Sequence, residues 1–234
     1  ITFAGSLFTN VAYNLAFSGS GGSWAMSDTN ATATNAVRIS LGAVTFPTGT
    51  LAIGNYLADV GGSFVGNNGT VRMYSGTTGT ITSGGSSFSN LRFHGAGTFS
   101  FVDANATVLE DITFVQGTTV LPTGTLTIGG SYENNATVTP GSGTVLFNST
   151  DTGETIAAGA SPFYNLTFNS ASGGWTITEP ATTTNNASLT AVSNWTLASG
   201  QALSVGGVFT NSVTNASTTW TGSTLSLESG AYTT

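Results

Sequence analysis

A long-period internal repeat constrains this chain more than any other feature. The tetrapeptide N-L-x-F stands at 14–17, 90–93 and 165–168, spaced 76 residues (14 to 90) and 75 residues (90 to 165) apart. A second marker keeps the same period. Phe46-Pro-Thr-Gly49-Thr-Leu51-Ala-Ile53-Gly54 matches Leu121-Pro-Thr-Gly124-Thr-Leu126-Thr-Ile128-Gly129, and Leu197-Ala-Ser-Gly200 begins a weaker copy. Two markers sharing one period define a true repeat, which calls for repetitive stacking rather than one closed core.

The expected organisation is a single array over 1–234. Its repeats cover about 14–89, 90–164 and 165–234, the last completed by 1–13 of a following segment. A junction from Thr234 to Ile1 restores the pattern with a few extra residues, so head-to-tail continuation between the Ile1 and Thr234 ends is expected.

Within each repeat, apolar and small polar residues alternate over short runs, as in Thr125-Leu126-Thr127-Ile128. Clusters of Gly, Asn, Ser and Thr separate the runs. This is strand periodicity, and no segment carries the spacing of a long amphipathic helix. The sequence predicts an all-β chain, a parallel β-solenoid of about nine coils of ~25 residues, in three repeats of ~78 residues. Tandem small β-sandwiches are the alternative. Leu15 and Phe17, Leu91 and Phe93, and Leu166 and Phe168 are two apart and should point inward as core columns three coils apart. Asn14, Asn90 and Asn165 should sit at strand edges, their amides bonding adjacent coils.

The stretch Leu126-Thr-Ile128-Gly-Gly-Ser-Tyr-Glu-Asn-Asn135, with Phe163-Tyr-Asn-Leu-Thr-Phe168, resembles the repeats of secreted prokaryotic β-helix surface proteins, the stalks of adhesins and autotransporter passengers. The resemblance covers nearly the whole chain at pattern level. It implies a cell-surface location and a filamentous or adhesive role, and it brings no catalytic residue with it.

Charge narrows the partners. Charged residues make up 6% of the chain, with Arg38, Arg72 and Arg92 as the only cations and a net charge of −7. These cations form no run, so nucleic acid and anionic membrane surfaces are not expected partners, and no apolar run is long enough to insert into a membrane. A homopolymer is the expected assembly, with glycans as a further partner class.

No cofactor is expected. Asp103, Glu110 and Asp111 are the best local carboxylate group for hydrolysis or Ca²⁺ binding, but they read as exposed turn residues. His94, the single histidine, lacks nameable partners for a triad or metal site. Trp24 and Trp175 each lie ten residues after a marker Asn, and Trp195 stands five before Gly200 as Val44 stands five before Gly49, so the tryptophans, with Trp220, read as packing residues rather than a sugar platform. Sequons make Asn30, Asn68, Asn105, Asn135, Asn186 and Asn215 candidate glycan acceptors, whereas Asn165 occupies a marker position. The expected role is a structural, non-enzymatic segment of an extracellular filament. An adhesin or carbohydrate-binding module is the second reading, and a polysaccharide-active enzyme the third.

Overall fold

The computed structural model describes residues 11–229 and 231–233. One turn of the chain can be followed from Asn90–Phe93 through Thr98–Phe101 and Ala106–Val108 to Ile112–Phe114, which lies in parallel register over Asn90–Phe93. Three short strands therefore make one triangular coil. We number the faces 1, 2 and 3 after the first three of these strands. Each face is a parallel ladder, as between Thr98–Phe101 and Thr118–Val120 on face 2 and between Ala106–Val108 and Thr125–Ile128 on face 3. Successive coils pair in parallel throughout, which excludes the antiparallel sandwich alternative. Among the described residues the sole helical element is the 3-10 turn Asn215–Ser217.

The fold is the expected β-solenoid, but with about eleven turns rather than nine. Face 1 shows why. Its register runs Ala33, Ile53, Met73, Phe93, Phe114, Asn134, at steps of 20 or 21 residues. Strands of three or four residues joined by corners of similar length close a turn in ~20 residues instead of ~25. At the ~4.8 Å strand spacing, eleven coils rise roughly 53 Å.

The tight corners depend on glycine where coils touch. A Cβ on Gly54 would stand 1.9 Å from the Thr34 carbonyl oxygen, and one on Gly129 would stand 1.9 Å from that of Leu109. Both glycines follow the P-T-G marker strands, so the repeat conserves a close backbone approach within the chain itself.

The sequence repeat and the coil do not coincide. Asn14 to Phe17 lies on face 2, paired with Ala36 to Ile39. Ten strand positions follow before Asn90–Phe93 on face 1: those beginning at 23, 31, 36, 43, 50, 56, 63, 70 and 79, and the bridge residue Phe88. Ten more, ending with the bridge residue Phe163, precede the copy at 165–168 on face 3. Each repeat thus spans eleven strand positions, three full coils and two further faces. The three N-L-x-F copies occupy three different faces, and the expected stacked columns do not form.

All six residues of those columns nevertheless point inward: Leu15, Phe17, Leu91, Phe93, Leu166 and Phe168 are buried. The periodicity of two within each strand fixes this independently of coil length. Aromatic rings run through the interior from coil to coil. Phe93 stacks on Phe114 at 5.1 Å, Phe114 meets Tyr132 at 5.4 Å, Phe147 stacks on Phe168 at 5.2 Å, and Phe168 meets Trp195 at 5.9 Å. Burial pushes the Tyr132 phenol pKa well above its ordinary value.

Candidate functional site

The polar residues singled out by sequence sit at corners and bond along the stack. Asn14 Oδ1 accepts from Asn35 Nδ2 at 2.8 Å, Asn35 Oδ1 from Asn55 Nδ2 at 2.7 Å, and Asn55 Oδ1 from Ser75 Oγ at 2.7 Å. This is a four-coil side-chain ladder at the corner between faces 1 and 2. Asn90 and Asn165 lie at the two other corners, leading from face 3 to face 1 and from face 2 to face 3 respectively. Asn90 Oδ1 accepts from the Asp111 backbone N–H, while Asn165 Oδ1 accepts from Asn185 Nδ2 and the Asn186 N–H.

The same chemistry governs several candidate glycan acceptors. Asn30, Asn68, Asn105, Asn135, Asn186 and Asn215 are all exposed. The Oδ1 atoms of Asn30, Asn105 and Asn186 accept from the backbone N–H groups of Thr50, Thr125 and Val208 on the next coil. These three amides splice coils together, a role visible in the sequence only as their placement just before a strand.

The carboxylate trio divides. Asp103 Oδ2 accepts from Ser83 N–H, Ser83 Oγ and Gly84 N–H at the corner between faces 2 and 3. Glu110 and Asp111 lie at the following corner, where Asp111 Oδ1 accepts from Ser131 N–H at 2.8 Å. Asp59, fully buried, accepts from Gly62 N–H and Ser86 Oγ. The described residues contain no group of three His, Asp or Glu side chains able to hold a metal ion. Trp175 and Trp195 are fully buried, and Trp24 packs on Phe17 at 5.5 Å. The tryptophans therefore do not build an exposed platform.

One pairing of charges escaped the sequence reading. Arg72 and Arg92 are register partners on adjacent coils of face 1. Twenty residues of sequence separate them, a spacing that becomes adjacency only once the coil length is known. Among the described residues no helix is long and apolar enough to cross a membrane.

The last described rung is built by Thr218–Thr219, Thr224–Leu227 and Ala231–Thr233. These strands pair with the preceding coil through Trp195, Leu203 and Phe209 among others. Thr224 N–H donates to the Gln201 carbonyl and Glu228 N–H to that of Val205. Backbone polarity alternates along a strand, so Leu225 and Leu227 direct their backbone groups to the opposite edge. There a hollow of about 330 Å³ is lined by Phe209, Trp220, Leu225 and Tyr232. Tyr232 is 49% exposed, whereas the equivalent Phe209 one coil earlier is 1% exposed. The expected counterpart around Ile1, and Thr234 itself, lie outside the described residues.

Comparison with protein-family models, with curated proteins and with solved structures finds no match.

Proposed function

We propose that this chain is a structural, non-catalytic segment of an extracellular filament or stalk that grows by strand-on-strand stacking along the coil axis. The observation that carries the reading is the unbroken parallel stack, in which every described coil repeats the same strand-on-strand contact with its neighbours. Each coil covers its neighbour with backbone strand edges and apolar side chains, the same two surfaces through which a further coil would add. The likeness to adhesin and autotransporter-passenger stalks belongs to this reading, as does the surface location it implies. The scarcity of charge favours it, because little repulsion opposes end-to-end approach. The dispersal of the carboxylates into separate corners favours a structural over a catalytic role.

Electron microscopy and light scattering of the purified chain test the proposal. Fibres of constant width are expected, growing with protein concentration. Leu225→Lys with Leu227→Lys should leave the inner coils folded and abolish the fibres. Wild-type protein that stays monomeric at all concentrations, or fibres unaffected by the double variant, would overturn it.

A further inference from the structure

The row of outward residues on face 1 reads Ala52, Arg72, Arg92, Thr113, Glu133 along the axis. Two of the three cations in a chain of net charge −7 thus stand side by side, about one strand spacing apart. Like charges directly opposite on a ladder repel. Neither arginine is paired with a carboxylate among the described residues. The Arg72 guanidinium lies over the Tyr74 ring at 5.4 Å, which fixes its direction, and its Nε is enclosed without an acceptor.

Both arginines line a groove of about 270 Å³, together with Thr50, Thr70 and Asn90. Asp111 stands on the far wall, its Oδ1 engaged by Ser131 N–H. Beyond it a second hollow continues along the face past Ser131 and Thr155. The walls around the arginines are hydroxyls and the Asn90 amide, the Asp111 and Glu133 carboxylates stand toward the second hollow, and the long direction follows the coil axis.

We propose that this furrow binds an acidic polysaccharide, with one oxyanion, a carboxylate or a sulfate ester, held between the Arg72 and Arg92 guanidiniums. A planar guanidinium pairs with such oxyanions through two parallel N–H donors, and here two arginines line one groove. The threonine hydroxyls and the Asn90 amide supply the hydrogen bonds that sugar hydroxyls require. Two cations are too few to hold a nucleic acid on a chain this acidic. The groove offers no large apolar anchor for a protein partner. The site is complete within one chain and does not depend on filament growth.

Calorimetry and affinity electrophoresis of the full chain with polygalacturonate, dextran sulfate and neutral dextran test this. Binding to one or both acidic polymers is expected, weakening as salt rises, and whichever binds identifies the oxyanion. Arg92→Gln, at an exposed position, should weaken binding at least tenfold, and Arg72→Gln with Arg92→Gln should abolish it. Arg38→Gln removes the same charge from face 2, where Arg38 Nε donates to Ser40 Oγ, and should leave binding unchanged. Equal binding of neutral dextran, equal loss on Arg38→Gln, or full retention by Arg92→Gln would refute the site. Poly-glutamate bound as tightly as either polysaccharide would refute the sugar assignment.

Discussion

Phe114 is where the coil-on-coil reading meets its sharpest test. Its ring is fully buried, stacked on Phe93 at 5.1 Å with planes 3° apart, and 5.4 Å from Tyr132. Phe114→Ala removes roughly 150 Å² of buried apolar surface, about 4 kcal/mol at ~25 cal/mol per Å². The two ring contacts, at about 0.5 kcal/mol or more each, place the total near 5 kcal/mol, the upper end for a buried Phe→Ala change. In a stack where each coil contacts only its neighbours, the loss should be felt locally. Hydrogen exchange followed by mass spectrometry should show faster exchange in 90–139, while 31–59 and 187–211 keep wild-type protection. The neighbouring outward change Thr113→Ala should cost under about 0.5 kcal/mol. A cost below about 2 kcal/mol for Phe114→Ala, or a uniform rise in exchange along the whole chain, would refute the reasoning.

Three further outcomes are expected. Gly129→Ala, whose new Cβ would meet the Leu109 carbonyl oxygen at 1.9 Å, should lower stability by more than about 2 kcal/mol in denaturant titration, whereas Gly76→Ala, with open space around it, should not. Asn55→Ala removes both a donor to Asn35 and an acceptor for Ser75 and should cost about 1–3 kcal/mol, with Asn55→Asp failing to rescue because it cannot donate to Asn35. Tyr132 stays protonated in the folded chain because burial raises its pKa, whereas the unfolded phenol ionises near pH 10. The unfolded state therefore sheds a proton first, and stability contributed by this group is complete below about pH 10. It declines by about 1.4 kcal/mol per pH unit above that, so Tyr132→Phe should flatten the alkaline fall of the melting temperature.

Much of this architecture is legible from residue order. The alternation in Thr125-Leu126-Thr127-Ile128 gives strands with one buried face, and it correctly turns Leu91, Phe93, Leu166 and Phe168 inward. Exchange of Trp195 with an apolar residue at the equivalent place marks it as a packing residue, and it is fully buried. The coil length was hidden for a physical reason. Residues stacked at the 20-residue step, such as Leu51, Val71, Leu91 and Ile112, share only size and apolarity. A core column asks for nothing more specific, so it leaves no identity for sequence comparison to find. The conspicuous 75-residue identity reflects copied sequence instead, and taking it as a whole number of coils produced nine turns where there are about eleven. The Arg72 and Arg92 pair was lost with the coil length, since nothing local links residues 20 apart.

The mismatch between an eleven-strand repeat and a three-strand coil works as a vernier. Each added copy carries its surface markings about 18 Å up the axis and turns them by one face, since eleven strands are one short of four coils. Identical residues come into line only after three copies. A duplication therefore never lays a charge, a threonine or an exposed ring over its own twin, and no single side of the stack gathers a continuous stripe of one chemistry. Lengthening by whole copies yields a rod whose three sides grow alike, with no preferred side for lateral clumping. Insertion of a single coil would do the reverse, preserving every face while breaking the copied pattern.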